Sequence, residues 1–472
     1  MRKIKQVTTH LLLVTLFFSL SIQAKNEYQL PNLINNIDET SLSNPAYVTG
    51  QHWFRKLHGS KGLINYPPAY DYLRSLLSIL LPVTGLHNKT IEIGLLNSEQ
   101  SNAFVLPGNH LFLYSEIFTM IDSERKLLAL LAHELAHLDL NHYERQLQNS
   151  NNEGSKALLL IGAGIAAALS GVDGDASSAI WLSGIANQQE NTLSNSRQQE
   201  READRQARQY LVQAGIDPSA MTELFLSFFQ ASLGRPSIEF LSTHPIADSR
   251  FADSIQGVKK NAITSKENSQ FFDEFRATLL AYRTAMIDDE NNLILSELQN
   301  SQQQNYALAL IALLKKELAT AQSYLPYLNE ESSSHAYLKV NILLAAGEEK
   351  EAAQLIEKKL AVNPNNLMFI NLKKDFMSAD QFNYFDSSFL QYEKNLVIEI
   401  QIQAAKKNKN LPLILTYQAL KDFSKGRSEK AIETIERAKK LSSPEDIKKI
   451  HVIDKWMSTI LEAEEIYNID AN

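Results

Sequence analysis

The chain contains no cysteine. That absence excludes disulfide staples, a thioether-linked lipid anchor and any metal site built on thiolates. Long apolar runs are missing as well. Leu11–Ile22 spans 12 residues and Ala157–Leu169 spans 13, against the ~20 that cross a bilayer core. Cations are outnumbered, 46 Lys and Arg to 54 Asp and Glu, giving a formal charge of −8. Nucleic-acid binding needs clustered positive charge, so that class of partner is excluded.

Residues 1–24 read as a secretory signal. Arg2, Lys3 and Lys5 form its basic start, Leu11–Ile22 its apolar core, and Ile22-Gln23-Ala24 a cleavage site. Removing it subtracts those three cations and no acids, taking the charge from −8 to −11. An export signal without disulfides predicts a bacterial periplasmic protein that relies on its cores. The ~450 residues that remain imply two or three domains.

The most informative stretch is His133-Glu134-Leu135-Ala136-His137. Two histidines four apart on a helix point the same way, so both imidazoles reach one metal. Glu134 lies at the edge of that face, placed to take a proton from an activated water, the chemistry of a zinc peptidase. A chance occurrence in such a composition is expected in roughly two of a hundred chains. Asp122 and Ser123 are N-caps, and leucines at 127, 131, 135 and 138 form a helical stripe. His133 and His137 fall opposite that stripe. His142 falls within it, so on a continuous helix it cannot join them and reads as structural. The metzincin position for a third histidine is Tyr143.

A third ligand must come from elsewhere. Glu200-Arg201-Glu202-Ala203-Asp204 sits in a helical stretch ending near Gly215 and Pro218. Glu200 and Asp204 are one turn apart, so one carboxylate could bind metal while the other orients an imidazole. On residues alone Glu200 is barely preferred to Glu202, and a solvated charged helix is the plain alternative.

The order of HELAH, E-x-E-A-D, the upstream Asn102-Ala103-Phe104 with Pro107-Gly108, and the downstream Thr243-His244-Pro245 resembles the HtpX-like and CAAX-prenyl-protease-like zinc peptidases. The resemblance implies one Zn2+ per chain held by His133, His137 and Glu200. It implies that Glu134 is the catalytic base and that Asp204 supports a ligating imidazole. Asn102, Ala103 and Phe104 would line the cleft, where substrate pairs as an added strand. His244 would either close the open metal position as a latch or support the transition state; the latch is the reading adopted. The implied role is quality control: cleavage of unfolded or misassembled outer-membrane β-barrel proteins near their assembly machinery. An assembly scaffold acting through its repeats, with a mostly silent peptidase, is the alternative.

The expected architecture is mainly α. A zincin-type α+β peptidase domain with a small sheet covers residues 25–257. A helix is expected at Tyr70–Leu81, and strands at Thr90–Leu96 and His110–Tyr114. Residues 157–186 read as a helical hairpin packed on the domain, with contact to a membrane surface as the alternative. After a linker at 258–269, residues 270–472 read as an α-solenoid of tetratricopeptide (TPR)-like helix pairs that offers a protein-binding surface. Gly347, Ala352, Ile356 and Pro364 repeat as Gly426, Ala431 and Ile435 79 residues later, with a fainter copy through Lys316, Ala321 and Leu325.

Overall fold

The computed structural model describes residues 41–60, 62–149, 197–233, 240–241, 244, 248–255, 268–287, 292–378, 394–467 and 469. The signal segment, the 157–186 hairpin and most of the expected linker lie outside the described residues. No described helix is long and apolar enough to cross a membrane.

Two helices come first, α1 (Pro45–His58) and α2 (Pro67–Leu80), each opened by a proline whose missing N–H costs nothing in a first turn. Three strands follow: β1 (Glu92–Leu96), β2 (Ala103–Leu106) and β3 (His110–Tyr114). Their order is β1-β3-β2, with β1 parallel and β2 antiparallel to the central β3. The β3 bounds are those expected, and β1 begins two residues later than the expected strand. β2 lies between the two expected strands.

Period-two alternation sends the two faces of the sheet to different cores. Ile93, Leu95, Ala103, Val105, Leu111 and Leu113 join the main core with α2 and the metal-site helix. Leu96, Phe104, Leu106, Phe112 and Tyr114 pack on Phe54 and Leu57 of α1. Gly94 makes room for the Phe112 ring, which would stand 2.5 Å from a Cβ.

The metal-site helix α3 (Glu124–Asp139) starts at Ser123, whose hydroxyl accepts from Lys126 N–H. Residues 127–138 are all buried, so the histidine face opposite the leucine stripe is covered as well. α5 (Arg197–Gln213) covers it, and β2 and α6 (Ser219–Ser232) pack on α3 too. Between α3 and α5 lies α4 (His142–Asn149); α7 (Asp248–Ile255) follows α6.

Helices continue as α8 (Gln270–Ile287), α9 (Asn292–Glu297), α10 (Ser301–Leu314), α11 (Leu318–Ser323), α12 (Ser333–Ala345), α13 (Glu349–Val362) and α14 (Leu367–Lys373). The last four are α15 (Lys394–Lys407), α16 (Leu411–Ser424), α17 (Ser428–Leu441) and α18 (Ile447–Ile466). Left-handed residues close four turns between consecutive helices: Lys316, Gly347, Lys409 and Gly426. In each, the next N–H reaches back to a carbonyl in the last helical turn, as in Glu348 N–H to Leu343 and Arg427 N–H to Asp422. Ala321, Ala352 and Ala431 are fully buried on the helices that follow three of these turns.

Beyond the expected linker the core does not restart. Phe272, Phe275, Leu279 and Leu280 of α8 share one cluster with Leu73, Phe118 and Leu131, and the cluster runs on to Ile342. At the far end α18 returns to α1. Glu464 is 2% exposed there and pairs with Arg55 and His52, while Tyr467 donates to Ser43 O at 2.9 Å.

Candidate metal centre

Three separate elements bring the donors together. His133 and His137 sit one turn apart on α3, and their Nε2 atoms approach to 3.1 Å. α5 presents Glu200, whose carboxylate oxygens lie 3.5 Å from His133 Nε2 and 3.4 Å from His137 Nε2. His244, ahead of α7, places Nδ1 3.1 Å from Glu200 Oε1 and 3.4 Å from His133 Nε2. All four donor groups are buried and lie within 4.8 Å of one another.

These separations fit a shared ion. Four donors arranged tetrahedrally at zinc bond lengths stand about 3.3 Å apart. The set is nitrogen and carboxylate oxygen, with no sulfur. Glu134 supplies a second fit: it is fully buried, and neither of its carboxylate oxygens has a hydrogen-bond partner. His244 Nε2 lies 3.7 Å from its Oε1. A carboxylate is left bare in a protein interior only at a cost, so a partner is implied that the described residues do not provide.

The surrounding charges hold the donors in place. Arg250 of α7 donates through Nε and Nη2 to Asp204 at 2.7 and 2.8 Å, and its Nη1 lies 2.8 Å from Glu200. Asp204 in turn sits 3.1 Å from His133 Nδ1, behind the ring's metal-facing nitrogen. Burial raises the Glu134 carboxyl above its ordinary range. Burial works the same way on Glu200, but His244 and His137 outweigh it and hold that group well below the usual carboxylate range. At His133 burial is overcome by Asp204 and Glu200, which push the ring up to about 10, whereas burial drives His137 well down.

His142 corrects an assumption of the sequence reading. The helix is not continuous: Asn141 takes φ of +50°, α3 ends at Asp139 and α4 begins at His142. The break swings His142 back, so that its Nδ1 stands 3.0 Å from His137 Nδ1, on the side away from the donor cluster. Fully buried, it is held by Gln199, which donates to its carbonyl. Glu202 lies on the flank of α5 and bonds Arg145 and Gln198. Of the two glutamates, Glu200 alone enters the cluster.

The expected substrate residues separate. In the antiparallel ladder Asn102, Phe104 and Leu106 turn their main-chain groups toward β3, so Ala103 and Val105 face the outer edge. The Asn102 amide oxygen accepts the Ala103 N–H at 2.9 Å. The Phe104 side chain stacks on Phe112, with centroids 5.0 Å apart, on the sheet face turned toward α1. It therefore does not face α3, because a one-residue step along a strand reverses the face.

Arg250, which pairs with both Asp204 and Glu200, is the residue beside the cluster that the sequence did not single out. Its only sequence signal was lying six residues after His244.

Comparison with known proteins agrees with this geometry. The profile of peptidase family M48 matches residues 69–256. The chain is 27% identical over 365 residues to the β-barrel assembly-enhancing protease of Escherichia coli strain K12, covering 75% of this chain and 74% of that protein. A putative β-barrel assembly-enhancing protease of Vibrio cholerae is 25% identical over 332 residues, 67% of each chain. The mitochondrial metalloendopeptidase OMA1 of Schizosaccharomyces pombe is 27% identical over 228 residues, 48% of this chain and 64% of its own. All four donors and Glu134 lie inside the stretch that matches peptidase family M48, in a chain similar over three quarters of its length to the β-barrel assembly-enhancing protease of Escherichia coli.

Proposed function

We propose that the protein is a periplasmic zinc endopeptidase that cleaves misassembled outer-membrane β-barrel proteins and aids their assembly. The observation that carries the peptidase reading is the buried His133–His137–Glu200–His244 cluster beside the unpartnered Glu134. His133, His137 and Glu200 would hold the ion, one per chain. When bound, such an ion supplies Lewis acidity, polarising a peptide carbonyl and making a water acidic. Glu134 accepts the proton of the attacking water and returns it to the leaving amine nitrogen. Asp204, fixed by Arg250, sets the orientation of the His133 ring. Extended substrate pairs through main-chain groups of the β2 edge, where Val105 and Ala103 face outward, which makes recognition indifferent to most side chains.

The periplasmic assignment rests on the export signal in residues 1–24 and the lack of cysteine. The client class rests on the names of the relatives. The helix pairs after residue 270 suit docking to the barrel assembly machinery.

His244 favours a latent resting state. Its Nδ1 stands at the fourth donor position, the one a catalytic site keeps for water or substrate. A scaffold role with the peptidase usually silent is therefore the second reading. Metal content and casein cleavage measured together on wild type, Glu134→Gln and His244→Ala test both. The latch predicts that His244→Ala raises cleavage and that Glu134→Gln abolishes it with metal retained. Equal loss in the two variants would refute the latch, and a metal-free wild type would refute the peptidase.

A further inference from the structure

The two histidines of α3 share one task and differ in what stands behind them. His133 Nδ1 rests on Asp204, and Arg250 fixes Asp204 in turn. His137 turns Nε2 into the donor cluster, 3.1 Å from His133 Nε2 and 3.4 Å from Glu200. Its Nδ1 faces His142 Nδ1 at 3.0 Å, a hydrogen-bonding distance. Two ring nitrogens so close share one proton: one donates and the other accepts.

Which one donates follows from what His137 does with its other nitrogen. A neutral imidazole carries a single ring proton, and a nitrogen that ligates a metal must present its lone pair. With Nε2 in the cluster, the His137 proton lies on Nδ1, and His142 Nδ1 is the acceptor. The His142 proton is then on Nε2, which stands 3.4 Å from Glu202 Oε2. Glu202 accepts from Arg145 and from Gln198, both at 2.8 Å. Donors and acceptors therefore alternate without conflict from the cluster out to the flank of α5.

The backbone holds His142 in this place. The left-handed Asn141 turns the chain between α3 and α4, and Gln199 donates to the His142 carbonyl at 3.1 Å. The residue is fully buried, so bulk water does not compete for its Nδ1.

We propose that His142 is a positioning residue for His137: it accepts the Nδ1–H of that ligand, fixes its tautomer and ring angle, and anchors both to Glu202. The proposal rests on the metal reading of the donor cluster. Glu202, which stays outside that cluster, becomes the far anchor of one of its ligands. A ring locked in advance loses little rotational freedom when an ion arrives, so metal affinity is where the loss of His142 should show.

The test uses the full chain, with affinity for Zn2+ measured by chelator competition. His142→Leu removes the acceptor in a similar volume and should weaken binding roughly 10–100-fold. His142→Asn places an amide oxygen where Nδ1 stood and should recover most of that loss. Packing alone would not give this rescue, because asparagine fills an apolar space worse than leucine. A second readout does not depend on how the variants fold. In the Zn2+-loaded wild type, with histidines labelled by heavy nitrogen, NMR should find the His142 proton on Nε2 and the His137 proton on Nδ1. Equal affinity of His142→Leu and wild type, no rescue by asparagine, or a His142 proton on Nδ1 would each overturn the proposal and leave the metal centre standing. A wild type that takes up no Zn2+ would overturn both.

Discussion

Glu134 offers the sharpest test because the structure predicts that removing it helps the fold while destroying the chemistry. The side chain is fully buried, with both oxygens unpartnered, and burial already pushes its carboxyl upward. An unsatisfied buried neutral group costs about 1–3 kcal/mol, and a charged one costs more. Glu134→Gln keeps the shape and removes the charge, so the metal-free protein should gain about 1–2 kcal/mol. For a cooperative unit of 150–250 residues each kcal/mol moves the melting midpoint by about 2–4 °C, so a rise of roughly 2–8 °C is expected. The assay is thermal melting in excess chelator, beside casein cleavage with metal present. Cleavage should fall roughly 10²–10⁴-fold, the usual contribution of a proton-transferring group. A variant that melts at or below wild type in chelator would show that Glu134 is satisfied by something else, and the argument from its bare oxygens would fail.

Other consequences can be read from the same contacts. Asp204→Asn removes the charge between Arg250 and His133 and should weaken metal binding roughly 10–100-fold in chelator competition. Arg55→Met leaves Glu464 buried beside His52 alone and should cost about 3–5 kcal/mol, whereas Arg55→Met with Glu464→Leu should recover most of it in denaturant titrations. Burial raises Glu464, but His52 and Arg55 overcome it and hold the group below its ordinary 4.5. Its stabilisation is complete above that pH and is lost as pH falls through the lower folded value, so wild type and Arg55→Met should converge in acid. Gly347→Ala should cost about 1 kcal/mol, from its positive φ alone, since nothing lies within 4 Å of a Cβ there. Gly426→Ala should cost more, because its Cβ would stand 2.9 Å from the Lys56 Cα.

The parts legible in the sequence were those written at short range. HELAH declares its own geometry because residues four apart on a helix must share a face, and β3 is a five-residue apolar run closed by a turn. Position, not pattern, separates Glu200 from Glu202: both are carboxylates on one helix, and only the packing of α5 on α3 decides which is buried. The break at Asn141 was invisible because asparagine adopts positive φ only where surroundings favour it, and His142 moved with it. Lys316 and Lys409 hide two turns between helices for the same reason, taking a left-handed conformation where glycine is the usual signal. The Arg55–Glu464 pair joins residues 409 apart, a distance at which no local pattern speaks.

Helix α8 has a practical consequence. Its phenylalanines and leucines are the inner wall against which the half with the His133–His137 helix is moulded, although by sequence they fall beyond the expected domain boundary. A cut at the expected boundary would strip that wall away and expose greasy surface on both fragments. The catalytic half is thus a tenant of the scaffold behind it, and whatever grips the scaffold also has hold of the blade.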